Sequence, residues 1–174
     1  MKIVFGTVIA LVVIIAVALV VGLVLPRDHR AASRITLHKP PEEVWPVVRD
    51  PASLVGVWSS LKSAIRLPEQ SGKEVWEENS GGFVMRLIVE ESAPPSRLVM
   101  KVDAPPNASF GGVWTYEIKP ALGGSTVTVT EDGYVNNPFF RTMMKLMGVH
   151  KTADEYLTAL GKKLGEPVVV EHVE

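Results

Sequence analysis

The chain contains no cysteine. That excludes a disulfide framework, a thiolate metal site and a cysteine nucleophile, and it leaves the redox compartment open. There is no excess of one charge either: the formal net charge is -1 over 174 residues. Lys and Arg are scattered, without the basic stripe that a nucleic-acid partner needs. No phosphate-binding glycine loop, dinucleotide fingerprint, GxSxG elbow or HExxH pair occurs. The histidines, His29, His38, His150 and His172, stand far apart with no ligand spacing between them. Neither a metal nor another cofactor is therefore expected.

Charge is missing altogether from Ile3 to Leu25, IVFGTVIALVVIIAVALVVGLVL. As a helix rising ~1.5 Å per residue this run spans roughly 34 Å, enough for a ~30 Å hydrocarbon core. A cleaved signal peptide is the competing reading. Its apolar region usually covers only about 7–15 residues and ends at a small-x-small site. Here the run is longer, and the charged stretch PRDHRAAS comes directly after it. The favoured reading is a retained single-pass anchor over residues 1–26, with the lipid bilayer as partner. Lys2 on one side against Arg27, Arg30 and Arg34 on the other leans, by a small margin, toward a cytoplasmic C-terminal domain.

Residues 27–33 read as a polar linker, short enough at ~3.6 Å per residue to hold the C-terminal domain close to a bilayer. From Arg34 the pattern is that of a globular domain, ending near residue 165, with 166–174 as a tail. RITLHK reads as a strand and PPEEVWPVV as a short helix with acids in its first turn. Pro46 fits that helix only if it starts near Glu43 or bends. Six further strand-like segments come next, separated by turn signals such as SGG, SAPPS, APPNAS and ALGG. Phe83, Met85, Leu87 and Val89 share one face, as do Leu98, Met100 and Val102, and Trp114, Tyr116 and Ile118. Such alternation marks an antiparallel sheet with one covered face. Gly111–Gly112 is a candidate bulge. Asn137 and Pro138 open a long helix that Gly165 and Pro167 end, with a candidate kink at Gly148. The expected fold class is α+β: a curved antiparallel sheet of about seven strands wrapped on a long C-terminal helix.

ITLHKPPEEVWPVVRDP, the Trp58 segment ending at LKSAIRLP, FGGVWTYEIKP with GGSTVTVTEDG, and NPFFR with YLTALGKKLGE together resemble the START-like, helix-grip superfamily known as SRPBCC. Within it the chain is most similar to the polyketide cyclase/dehydrase and lipid-transport group, over residues 34–165. The resemblance implies an apolar cavity between sheet and helix that holds lipids, isoprenoids, polyketides or similar molecules. It implies no shared catalytic set.

Candidate lining residues are Trp58, Trp76, Met85, Met100, Trp114, Tyr116, Phe139, Met143 and Met147. Methionine suits walls that adapt to variable apolar guests, although a Met or Phe stripe on a helix is more often plain core. Acid/base candidates are few. The doublets Glu42–Glu43, Glu77–Glu78 and Glu90–Glu91 read as solvated carboxylates, because neighbours on a strand face opposite ways. Whether Trp76 and Glu78 face inward is undecided by pattern. Glu131 lies in phase with Val127 and Val129, and His150 and Asp154 stand one helical turn apart. Three functions remain open: a membrane-anchored binding domain for a hydrophobic small molecule, without catalysis; a cyclase or dehydratase using His150, Asp154 and Glu131; and a protein–protein module using the same groove.

Overall fold

Runs of alternating apolar and polar residues bury one face of a strand and wet the other. In this chain they assemble into a single antiparallel sheet. The computed structural model describes residues 2–105 and 107–173. Met1 and Glu174, at the ends of the expected anchor and tail, and Pro106 of the APPNAS loop lie outside the described residues. The elements are α1 (Lys2–Val24), β1 (Asp28–Leu37), α2 (Pro41–Arg49), a 3-10 turn (Pro51–Leu54), β2 (Ser63–Gln70), β3 (Lys73–Ser80), β4 (Phe83–Ala93), β5 (Arg97–Val102), β6 (Phe110–Ala121), β7 (Gly124–Val135), α3 (Pro138–Met147), α4 (Lys151–Lys163) and β8 (Glu171–Val173).

Strands β2 to β7 form a hairpin meander, β1 closes against β7, and β8 adds to β1, giving the order β2-β3-β4-β5-β6-β7-β1-β8. The covered face carries Ile35, Leu37, Leu98, Met100, Ile118, Val127 and Val129. They form one cluster with Val44 and Val48 of α2 and with Tyr156, Leu157 and Leu160 of α4. Leu157 and Leu160 are fully buried, and each such side chain stabilises the fold by about 1.5–3 kcal/mol.

Four details depart from expectation. The stretch 27–33 is mostly strand: Ala31, Ala32 and Ser33 are buried in β1 and pair with Glu131, Thr130 and Val129 of β7. These small residues allow α4 to approach, and their weak alternation hides the strand. The tail is tied down, because Glu171, His172 and Val173 pair with Arg34, Ser33 and Ala32. Gly111 and Gly112 do not bulge: the β6–β7 ladder runs without a shift from Phe110↔Val135 to Ala121↔Gly124. They provide room instead, since a Cβ on Gly111 would lie 2.6 Å from the Tyr134 hydroxyl. The closing helix is broken in two at Gly148, whose φ of +91° caps α3. The halves serve different partners: α4 packs on β1 and β7, whereas α3 packs mainly on α1. Pro46 sits inside α2, which starts with Pro41 in its first turn.

Candidate functional site

Cross-strand register decides the face that sequence pattern leaves open. Trp76 pairs with Leu87, and Glu78 with Met85, so Trp76 and Glu78 both lie on the covered side of β3. Trp76 ends as buried core, its indole N–H donating to Glu74 at 2.6 Å. Glu78 reaches a cavity between the sheet and α4. The inner end of this cavity is a narrow recess of about 40 Å³ walled by Leu54, Trp58, Met85, Met100, Trp114 and Tyr116. It widens outward into a chamber of about 380 Å³ bounded by Phe83, Phe110, Glu131, Met147 and Glu155. Trp58, Glu78, Met85, Trp114 and Thr152 belong to both, so Glu78 stands where recess meets chamber. The outer volume lies in the range of small-molecule pockets.

Aromatic side chains brace the recess. Tyr156 of α4 meets Tyr116 with ring centroids 5.1 Å apart and Trp58 edge-on at 5.7 Å. Burial raises the phenol of Tyr116 well above its usual value, and it raises Tyr156 too, so both are neutral hydrogen-bond groups at ordinary pH. Burial pushes the Glu78 carboxyl up to about 7. Among the described residues no hydrogen bond or ion pair involves the Glu78 side chain, which leaves desolvation uncompensated. At the rim, Trp58 and Ser60 donate to Glu155 Oε2 at 3.5 and 2.8 Å, and Lys151 pairs with the same carboxylate. Lys151 holds the Glu155 carboxyl below its usual range. This latch ties the Trp58 loop to the start of α4.

Of the residues proposed from sequence, Trp58, Met85, Met100, Trp114 and Tyr116 line the cavity, and Met147 lines its outer chamber. Trp76 is not among its lining residues, and neither are Phe139 and Met143, half-buried on α3, which packs mainly on α1. The acid/base candidates are not brought together. Glu131 borders the outer chamber with its carboxylate 3.2 Å from His29 Nε2. His150 and Asp154 lie on the far side of α4, against β1 and β8. There the buried Ser33 hydroxyl donates to Asp154 Oδ1 at 2.6 Å, with His150 Nδ1 3.3 Å from the same hydroxyl. His172 Nε2 lies 3.0 Å from Asp154 Oδ2.

His150, Asp154 and His172 present ligand atoms within 4.8 Å of one another. Sequence spacing conceals this grouping because β8 creates it. The two imidazoles, however, stack at 3.9 Å with only 12° between their planes. Their lone pairs therefore lie in two near-parallel planes that share no common point between the rings, and hydrogen bonding accounts for the cluster as it stands. Glu78 is the site residue that sequence reasoning missed. Its one available signal was its place in phase with Trp76.

An apolar cavity closed by a helix over a curved sheet defines a hydrophobic ligand-binding domain. The chain belongs to the polyketide cyclase / dehydrase and lipid transport family, whose model matches residues 28–165. Solved structures share its fold. The Zhui aromatase/cyclase from a Streptomyces species superposes with a TM-score of 0.62 at 14% identity, over 79% of this chain and 94% of that one. A structural-genomics protein from Mesorhizobium loti gives 0.60 at 15% identity, over 79% and 97%. The two-domain aromatase/cyclase StfQ of steffimycin biosynthesis gives 0.64 at 7% identity. This chain covers 80% of its own length in that match but only 52% of StfQ's. Comparison with curated protein sequences finds no match.

Proposed function

We propose that the chain is a membrane-anchored carrier or sensor that holds an apolar small molecule, of lipid, isoprenoid or polyketide-like character, without transforming it. The observation that carries this reading is the wall of the cavity. It is built from Met85, Met100, Trp58, Trp114 and Tyr116, and its one unpaired carboxyl, Glu78, has a pKa of about 7. A neutral carboxyl offers one hydroxyl donor and one carbonyl acceptor, which fits the single polar end of a hydrophobic molecule. Helix α1 supports the anchor, since Phe5–Val24 is long and apolar enough to cross a membrane. Mass spectrometry of the full chain purified in mild detergent tests the reading. A stoichiometric apolar molecule released unchanged supports it, and an empty cavity that no lipid stabilises opposes it.

Glu78 favours a second reading. A carboxyl with a pKa near working pH suits general acid/base chemistry, as a cyclase or dehydratase would use. Glu78→Gln separates the two. A carrier keeps its ligand, whereas an enzyme accumulates unconverted substrate.

A further inference from the structure

Helix α3 is amphipathic, and large apolar side chains remain in the open on it: Phe140 is 52% exposed, Leu146 75% and Met147 57%. Its packing partner α1 is almost wholly unburied and strongly apolar. The two helices meet closely. A Cβ on Gly22 would fall 1.8 Å from the carbonyl oxygen of Pro138. Thr142 Oγ1 donates to the Ala18 carbonyl at 2.7 Å, and Arg141 Nη1 donates to the Leu25 carbonyl at 2.8 Å. Pro138 beside Gly22 and Thr142 beside Ala18 mean that α3 runs back along α1, antiparallel to it.

This contact sets a depth. Where α1 spans a bilayer and leaves it near Val24, Gly22 and Ala18 lie about 3 and 9 Å inside that end, at ~1.5 Å per residue. Continued at the same rise, α3 carries Leu146, four residues past Thr142, to about 15 Å inside that end, within the acyl region of one leaflet. Arg141 is placed to match, with its guanidinium on the Leu25 carbonyl just past the end of α1, where the helix dipole favours a cation.

From α3 the chain leads straight to the cavity. Met147 ends the helix and lines the outer chamber, opposite Phe83 and Phe110, whose rings lie 5.3 Å apart. Phe83 and its neighbour Val84, at the β3–β4 turn, are half in the open. We propose that α3 is a wedge inserted in one leaflet beside α1, and that the rim formed by Met147 and Phe83 opens the cavity into that leaflet. The ligand is then a component of the leaflet that enters laterally without crossing water. This rests on the reading of α1 as a retained anchor.

The absence of native cysteine makes the test direct. Single-cysteine variants of the full chain, Val13→Cys in α1, Leu146→Cys in α3, Phe83→Cys at the rim and Leu122→Cys on the remote β6–β7 turn, carry an environment-sensitive fluorophore. They are reconstituted in phosphatidylcholine vesicles containing doxyl-labelled lipid. The wedge predicts that labels at 13, 146 and 83 are quenched several-fold more by doxyl lipid than by aqueous iodide, with the reverse at 122. Iodide quenching at 146 and 83 while 13 remains lipid-quenched overturns the wedge and leaves the anchor standing. Iodide quenching at 13 overturns the anchor itself and the wedge with it. Protection of 146 from both quenchers places a protein partner or a second copy on α3 and equally overturns the proposal.

Discussion

Glu78 on β3 stands directly across from Met85 on β4, and both side chains border the cavity. A carboxyl is thereby set against a thioether in a wall otherwise built of apolar groups. Desolvation, with no partner to offset it, raises the Glu78 pKa from 4.5 to about 7.

That shift makes stability depend on pH in a stated direction. Below 4.5 the carboxyl is neutral in both folded and unfolded chains and costs nothing. As pH rises toward 7 the unfolded chain ionises and the folded one resists, so a penalty grows and is complete above 7. At about 1.36 kcal/mol per unit, the full penalty is at most about 3 kcal/mol. Glu78→Gln is expected to stabilise the chain by up to that amount near pH 8 and to change little near pH 4. Thermal melts of the two chains in the same detergent at both pH values check this.

Ligand binding should track the same titration. An apolar guest removes water from Glu78 and disfavours its charged form further. Affinity for the co-purified molecule is expected to fall several-fold between about pH 6 and about pH 8, and Glu78→Gln is expected to flatten that profile. Binding isotherms across this range read the effect.

Met85→Glu puts a second carboxylate beside Glu78 in the recess wall. Like charges facing one another in an apolar site both resist ionisation and admit water. The variant is expected to lose co-purified ligand. Leu122→Glu, fully exposed on the β6–β7 turn and remote from the cavity, is expected to keep it. Mass spectrometry of both purified chains distinguishes these outcomes.

Most of the fold is legible in the residues because alternation is strong where one face is buried, as in Leu98–Val102 and Trp114–Ile118. Legibility fails where the cause is tertiary. Ala31–Ser33 read as linker because small residues under a helix carry little pattern. The grouping of His172 with His150 and Asp154 depends on β8, a strand of three residues that pairs only after β1 exists. At the site, the aromatic and methionine residues of the recess are readable as an apolar stripe. Glu78 is not, since one parity choice on β3 separates a solvated carboxylate from a cavity one. Phe139 and Met143 are misplaced by a helix drawn as continuous. The break at Gly148 turns their half of it toward α1.

Two positions probe that architecture. Gly148→Ala forces a Cβ onto a backbone at φ +91° and is expected to destabilise the chain by about 1–2 kcal/mol. Ser33→Ala removes the hydroxyl that satisfies Asp154 and adjoins His150, with an expected loss of about 1–3 kcal/mol. Denaturant melts of the full chain in detergent measure both.

The most direct test of the central claim is native mass spectrometry of the full chain, purified in mild detergent, beside its Met85→Glu variant. A bound apolar molecule near one per chain, chemically unchanged over time and absent from the variant, is the predicted result. An empty wild-type chain, or equal amounts of the same lipid on both chains, would contradict it.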